Sequence, residues 1–175
     1  IVEIMGRHAG WLAGAAGLAS WAGSGPDLVY LPEVDFDMDQ FLADVKRIYD
    51  ATGNCLVAVS EGIHYADGTF VSEAKTSASH LASRTDIQEA YAAGKAAVEA
   101  AVSGLTDQMV ALDCTRDADG YHCQTKLIPL TQAANTERKV PRALINAAGN
   151  GVCQSFIDYA LPLIQGETGM VKENG

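Results

Sequence analysis

The middle of the sequence alternates two short apolar runs with one strongly periodic segment. Residues 27–31 read DLVYL and residues 55–60 read CLVAVS, and each is a continuous apolar run typical of strands that are covered on both faces. Between them, residues 38–49 repeat apolar side chains at helical spacing. The order strand, helix, strand predicts a parallel sheet with helices packed against it.

The boundaries of the central helix are also visible in the sequence. Asp37 can cap the first turn, with Gln40 three residues later, and Gly53 can end the helix. Further elements are expected along the chain: a strand end at 1–5, a helix at 8–22, a helix at 86–103 capped by Thr85 and Gln88, a hairpin of 109–114 and 121–130, and a last helix at 152–164. The predicted fold class is α/β, with three αβα layers, a mostly parallel sheet and a hairpin towards the C-terminus.

Length and charge limit the function. A chain of 175 residues has room for one domain, which we place at residues 1–166, followed by a loose polar tail at 167–175. The formal net charge of −10 argues against a nucleic-acid surface, and no apolar run is long enough to span a bilayer. Four cysteines at positions 55, 114, 123 and 153 lack metal-type spacing and predict free thiols in the cytoplasm.

The opening residues, IMGRHAG, suggest a phosphate site. Gly6 would let a ligand approach the backbone, Arg7 could hold a phosphate through two hydrogen bonds, and a helix start attracts anions. The alternative is that Gly6 only turns the chain and that Arg7 is a solvated surface charge.

Two carboxylates follow predicted strands. In a parallel sheet ligands bind beyond the carboxyl ends of the strands, where Glu33 and Glu61 would lie together with Arg7. One arginine and one carboxylate favour a sugar phosphate over a nucleotide, and neither G-x-x-x-x-G-K-[ST] nor a strand-linked G-x-G-x-x-G is present. Glu61 could equally be a polar strand end, and Glu33 is expected to be solvated near the next helix start.

The histidines carry weaker signals. His64 and His122 lie in turn and hairpin contexts and are expected at the surface. His80, in SASHLASR just before a helix, is a possible ligand contact. No serine or cysteine lies in a recognisable nucleophile motif, so covalent catalysis is not expected.

Several segments together resemble the 6-phosphofructokinase family, in the right order and over nearly the whole chain. They are MGRHAGWLA, LVYLPEVDFDMDQFL and LVAVSEGI, and, with closer similarity to the pyrophosphate-dependent branch, SHLASRTDIQEAYAAGKAAVEAAVSG, ANTERKVP and FIDYALPLIQGE. The resemblance implies the C-terminal, sugar-phosphate-binding part of a two-domain enzyme.

The same resemblance assigns roles to individual residues. It implies that Met5, Gly6 and Arg7 contact fructose 6-phosphate and that Glu61 binds hydroxyls of the sugar ring. The implied reaction is in-line transfer of a phosphoryl group from pyrophosphate, or from ATP, to the sugar 1-hydroxyl. The Mg²⁺ site, the donor loop and the catalytic aspartates would precede Ile1, so the fragment alone is expected to be inactive. A cytoplasmic homodimer or homotetramer is also implied.

One departure limits the resemblance. Relatives carry a longer segment before the helix at residue 86, which would complete the sugar-phosphate pocket, whereas here Ala78 is followed directly by Ser79. Two explanations stay open, namely that the segment is deleted or that it is a loop missing from this sequence. Two other functions also stay open: a non-catalytic sugar-phosphate-binding regulatory module, and an unrelated α/β interaction domain in which Arg7 and Glu61 are structural.

Overall fold

The sheet at the N-terminal part of the chain has three parallel strands, in a computed structural model that describes residues 1–71 and 83–166. The regular elements follow one another as β1 Val2–Ile4, α1 Trp11–Trp21, β2 Leu28–Tyr30, α2 Met38–Thr52, β3 Val57–Ser60, α3 Arg84–Val102, β4 Gln108–Asp117, β5 Gly120–Pro129 and α4 Gln154–Ala160. Short 3-10 helices lie at Leu130–Gln132, Arg142–Leu144 and Leu161–Ile164.

The chain divides into two compact units. The first, here called the sheet unit, comprises Ile1–Ser79 and Glu137–Ala160, and the second, the hairpin unit, comprises His80–Thr136 and Leu161–Gly175. The placement of one sugar-phosphate-binding domain over residues 1–166 stays a prediction. The tail at 167–175 lies outside the described residues.

In the sheet unit, β3 lies between β1 and β2, and both pairings are parallel. The apolar runs that predicted β2 and β3 are buried, as expected for strands covered on both faces. The predicted fold class, a parallel α/β sheet with a separate antiparallel hairpin, is confirmed.

Helices cover both faces of this sheet. On one face Tyr30 and Val57 form a buried cluster with Phe36, against which Phe41 of α2 packs. Because side chains alternate along a strand, Val29 and Ala58 point to the other face, where they are also buried.

The second face is covered by α1, which packs closely on α4. A Cβ atom added to Gly14 would lie 2.7 Å from Phe156 Cζ, so the absence of a side chain permits this close approach of the two helices. The small residues of α1 therefore serve helix packing.

The ends of α2 are those the sequence predicts. The side chain of Asp37 accepts a hydrogen bond of 2.9 Å from the backbone N–H of Gln40, as a helix N-cap does. Gly53 has φ of 79° and ends the helix in the left-handed conformation.

The hairpin unit consists of α3 and the antiparallel pair β4–β5, and its predicted cap is wrong. The N-cap of α3 is Ser83, whose side chain accepts a hydrogen bond from the N–H of Asp86. Because the helix begins two residues earlier than predicted, the Thr85 hydroxyl cannot cap it and instead donates to the carbonyl oxygen of Gln165. β4 is longer than the predicted segment 109–114, whereas β5 has the predicted length and begins one residue earlier.

The predicted last helix is also too long. The α-helix α4 ends at Ala160, and the chain continues as the 3-10 helix Leu161–Ile164. Pro162 lacks the N–H that an α-helix would need at this point, which explains the change of helix type. In the part of the chain that the structure describes, no helix is both long and apolar enough to cross a membrane.

Candidate functional site

The carboxyl ends of β1 and β3 bring two predicted site segments together. Ile4 lies opposite Ser60 in the parallel register, so Met5–Arg7 and Glu61 leave the sheet side by side. The backbone N–H of Glu61 donates to the carbonyl oxygen of Ile4 at 2.9 Å. Its carboxylate Oε1 accepts from the backbone N–H of Gly6 at 3.0 Å. The carboxylate is therefore held against the loop that carries Arg7.

The backbone of this loop is fixed by close contacts. Gly6 has φ of +135°, which favours glycine, and its carbonyl oxygen accepts a hydrogen bond from the Ser60 hydroxyl. A Cβ atom on Gly62 would lie 1.7 Å from the carbonyl oxygen of Arg7, so only glycine fits there. These contacts define where the Arg7 side chain starts.

The helix-start argument for the phosphate site needs correction. Helix α1 begins at Trp11, three residues later than predicted, so Arg7 belongs to the connecting loop and not to the first helical turn. The N–H of Gly10, at the N-cap position, already donates to the Glu33 carboxylate at 2.8 Å. A ligand at Arg7 would therefore depend on side-chain cations more than on a free helix terminus.

The Arg7 side chain opens into a cationic pocket. Its guanidinium lies over the ring of Phe70, 5.4 Å from the ring centroid. The pocket has a volume of about 150 Å³ and is lined by Arg7, His8, Pro32, His64, Gly68, Phe70 and Lys139. Its arginine, its lysine and two histidines make it suited to an anionic group.

The surface prediction for His64 is incomplete. Its side chain is only 30% exposed, and Nδ1 lies 3.0 Å from the carbonyl oxygen of Gly62. Its Nε2 lies 3.9 Å from Oδ1 of Asp35. The missed signal is its position three residues after Glu61 on the same loop. His122, in contrast, lies exposed on β5 as predicted.

Glu33 is not the solvated residue that the sequence predicts. Its Oε1 accepts from the N–H of Gly10 at 2.8 Å and from the N–H of Val140 at 2.9 Å. Its Oε2 is buried and has no hydrogen-bond partner among the described residues. The carboxylate therefore joins the loop before α1 to the segment that carries Lys139, a pocket residue that the sequence did not single out.

Two further residues were predicted to contact a ligand: Met5 lies next to the site loop, and His80 lies outside the described residues. Met5 is 41% exposed beside Gly6, where it could touch a bound ligand. His80 lies outside the described residues, as does the junction of Ala78 and Ser79. The geometry thus brings together Gly6, Arg7 and Glu61, and supports anion and hydroxyl binding.

The described residues do not fit a magnesium site. Over residues 1–71 and 83–166, the group of metal-ligating side chains within reach of a single ion is Glu89, Cys114 and Cys123, in the hairpin unit. Mg²⁺ takes oxygen ligands, whereas thiolates suit softer metals. The predicted Mg²⁺ site in a preceding part of the enzyme stays a prediction.

Comparison with protein families decides the relationship. The family model described as Phosphofructokinase matches residues 1–113, which include the whole sheet edge just described. The chain belongs to the phosphofructokinase family. The resemblance seen in the sequence is thereby confirmed.

Individual phosphofructokinase relatives extend over the rest of the chain. The chain is 35% identical to the pyrophosphate–fructose 6-phosphate 1-phosphotransferase of Halomonas elongata, covering all of this chain and 51% of the relative. It is 37% identical to the protein of the same name from Methylococcus capsulatus, covering 95% of this chain and 49% of the relative. A crystal structure of a pyrophosphate-dependent phosphofructokinase from Nitrosospira multiformis matches with a TM-score of 0.85 at 35% identity, covering 99% of this chain and 50% of that one.

These alignments also bear on length. The chain spans about half the length of the curated relatives it matches. The alignment with the Halomonas elongata protein extends over 214 residues, more than the 175 of this chain, so that relative contains residues with no counterpart here. The position of that difference between Ala78 and Ser79 stays a prediction.

Proposed function

We propose that this chain is the fructose-6-phosphate-binding part of a pyrophosphate-dependent 6-phosphofructokinase. The observation that carries the proposal is the hydrogen bond from Gly6 to the Glu61 carboxylate, because it holds a hydroxyl-binding group beside Arg7 and its cationic pocket. The names of the full-coverage relatives favour pyrophosphate as the phosphoryl donor. ATP remains the alternative donor.

In this proposal the pocket holds the sugar phosphate by charge. Arg7 donates to the phosphate group, and Lys139 on the same pocket lining adds positive charge, while the ring of His8 is a further hydrogen-bonding group. The ring of Phe70 under the guanidinium limits the positions that the Arg7 side chain can take. Gly6 would contact the ligand through its backbone, at a position where an added Cβ atom would lie 2.7 Å from the carbonyl oxygen of Ala9.

Glu61 and Met5 complete the sugar contacts. One carboxylate oxygen of Glu61 is occupied by the Gly6 N–H, which orients the group while its second oxygen can accept from ring hydroxyls. Met5 would contribute an apolar contact, and the ligand contact suggested by the sequence for His80 stays a prediction. The residues described here thus bind and orient the sugar and supply no nucleophile or base.

The chemical step would depend on residues outside this chain. Bound Mg²⁺ would neutralise charge on the transferring phosphoryl group. The contribution of this chain is to hold the acceptor sugar in one position, which lowers the entropic part of the barrier. The 175-residue chain alone is accordingly expected to show no turnover.

Assembly and location belong to the same proposal. We propose a cytoplasmic homodimer or homotetramer, with support from the family resemblance and from four cysteines that are all free thiols in the structure. Sedimentation of the intact protein would measure its assembly.

The experiment is a titration of the intact protein with fructose 6-phosphate. Arg7→Ala and Glu61→Gln should each weaken binding by about 1–3 kcal/mol, the cost of leaving a polar partner unmatched. Lys95→Ala, which removes an exposed cation of the hairpin unit, serves as the matched control and should leave affinity unchanged. Wild-type affinity in both site variants would overturn the proposal.

Turnover assays separate the alternatives. Activity with pyrophosphate and not with ATP supports the proposed donor, and the reverse result assigns the protein to the ATP-dependent enzymes. Sugar-phosphate binding without turnover on either donor identifies a regulatory module. If the protein does not bind sugar phosphates, the result favours the third alternative, an α/β interaction domain in which Arg7 and Glu61 are structural.

A further inference from the structure

Two cysteines of the hairpin unit face each other across paired strands. Cys114 of β4 lies directly opposite Cys123 of β5 in the antiparallel register, and their Sγ atoms are 2.8 Å apart. Opposite residues of an antiparallel pair have Cα atoms about 4.5 or 5.5 Å apart, depending on the type of pair. Both spacings fall within the range of about 4.4–6.8 Å that a disulfide requires. The register of the two strands is therefore compatible with a disulfide between them.

The surroundings of the pair keep both sulfurs on one side of the hairpin, towards α3. The hydroxyl of Tyr121 donates to Glu89 Oε1 at 2.6 Å and lies 3.1 Å from Cys114 Sγ. Tyr121 and Cys123 are two residues apart on β5, so their side chains share one face of the strand. Glu89 reaches the cluster from α3.

The thiols are half-buried, which allows a small reagent to reach them while the hairpin stays folded. Burial, together with the hydrogen bond that the Cys123 thiol donates to Cys114, raises the pKa of Cys123 to about 11. The reactive thiolate of Cys123 is therefore scarce near neutral pH, and exchange there is slow and accelerates as the pH rises.

The same geometry disfavours a metal ion. Two thiolates on a tetrahedral ion such as Zn²⁺, at a metal–sulfur distance of about 2.3 Å, lie about 3.8 Å apart, whereas these sulfurs are already closer. A metal also requires both thiols to lose their protons, which the raised pKa of Cys123 opposes.

We propose that Cys114 and Cys123 form a thiol–disulfide exchange site, which closes into a reversible cross-strand disulfide on reaction with a low-molecular-weight disulfide such as oxidised glutathione. One cysteine thiolate attacks the small disulfide, forms a mixed disulfide and releases one small thiol. The second cysteine thiolate then attacks the mixed disulfide at the protein sulfur and releases the other small thiol. The cysteine pair is oxidised by two electrons, the reagent is reduced by two, and the two cysteine protons leave with the small thiols or to solvent.

The test uses the intact native protein in glutathione buffers with an increasing oxidised fraction. Free thiols are alkylated before unfolding, and peptide mass spectrometry then identifies the linked residues. Cys114 and Cys123 should become linked in most molecules, while Cys55 and Cys153 of the sheet unit stay alkylated. The rate of linkage should rise as the buffer pH is increased.

Single variants identify the intermediate. In Cys114→Ser the remaining Cys123 should accumulate the mixed disulfide with glutathione, because no second thiol resolves it, and Cys123→Ser should do the same at Cys114. The matched control Cys55→Ser should leave the link unchanged. If either hairpin variant fails to fold, the mass-spectrometric measurement on the wild-type protein still tests the proposal.

Three results would overturn the proposal. The first is complete alkylation of both cysteines in the most oxidising buffer. The second is stable glutathione on either cysteine of the wild-type protein without a link between them. The third is retention of one Zn²⁺ per chain that protects both thiols, which would make the cluster a metal site.

Discussion

The sheet unit and the hairpin unit differ most in where their apolar side chains lie. In the sheet unit Leu31, Val57 and Phe156 are each 1% exposed. Over the described part of the hairpin unit, residues 83–136 and 161–166, no apolar side chain is buried, and Tyr91 and Val102 of α3 are 74% and 84% exposed. One unit thus has a hydrophobic core of its own, whereas the other is organised mainly by hydrogen bonds.

This difference indicates where stability resides. Burial of apolar surface is the dominant favourable term in folding, so the sheet unit should account for most of the free energy of unfolding. The hairpin unit should have the lower free energy of local opening, so its amide hydrogens should exchange before those of the sheet unit. Both tryptophans, Trp11 and Trp21, lie in the sheet unit, so their fluorescence reports its unfolding separately.

The largest effect is expected from Phe156→Ala. This substitution empties a site between α4 and Gly14 of α1 and removes the ring that stacks on Trp11, at a cost of about 3–5 kcal/mol. Urea unfolding followed by tryptophan fluorescence measures the loss. Tyr91→Ala on α3 is the control, with an expected change within about 0.5 kcal/mol. Equal losses in the two variants would remove the distinction between the units.

The next comparison uses one substitution at two glycines. Gly62→Ala places a Cβ against the Arg7 backbone and should cost about 3 kcal/mol, because the site loop must move. Gly94→Ala in α3 meets nothing within 4 Å and should stabilise the helix by about 0.5–1 kcal/mol. Tryptophan fluorescence measures the unfolding of Gly62→Ala. Amide hydrogen exchange measures the opening of α3 in Gly94→Ala. A neutral Gly62→Ala would show that the loop is not held as described.

Glu33→Ala tests the polar part of the sheet unit. It leaves the buried N–H groups of Gly10 and Val140 without their acceptor, which should cost about 2 kcal/mol or more. The exposed Glu99 of α3 forms an ion pair with the exposed Lys95 in the preceding turn, and Glu99→Ala should produce no measurable change. Thermal unfolding of the two variants decides whether the internal carboxylate stabilises the unit.

The smallest effect concerns acid stability. Burial alone would raise the pKa of Asp44, but hydrogen bonds from Asn150, Gln40 and Arg47 outweigh it and hold the pKa below its usual 3.8. A lowered folded-state pKa stabilises the sheet unit at pH values above 3.8, and this contribution is lost as the pH falls through the folded-state pKa.

Asp44→Asn should therefore flatten the acid limb of the unfolding profile, measured by tryptophan fluorescence between neutral pH and pH values below 3.8. Asp50→Asn, at an exposed ion pair with Lys46, is the control and should leave that limb unchanged. An unaltered acid limb in Asp44→Asn would contradict the assigned network.

The sequence predicted elements well where local chemistry decides them. The apolar runs of β2 and β3 and the caps Asp37 and Gly53 of α2 encode their own structure. The meeting of Gly6 with Glu61 followed from the rule that parallel strands end at one edge.

The errors arose where distant segments decide the outcome. The environment of Glu33 depends on Val140, more than one hundred residues away, and no local pattern reveals such a partner. The helix-start argument needed correction because α1 begins at Trp11, which leaves Arg7 in the connecting loop, and because the N–H of Gly10 already has Glu33 as its acceptor. Lys139 was missed because it enters the pocket from a segment far along the chain.

The two hydrogen bonds that the Glu33 carboxylate accepts, from Gly10 and from Val140, have a consequence for any ligand of the pocket. Because one internal carboxylate anchors both the loop of Arg7 and the segment of Lys139, an arriving anion meets cations that are already in position. A preorganised site spends less of its binding energy on ordering the receptor. Recognition here would therefore be close to lock-and-key, with discrimination set by the fixed spacing of the charges.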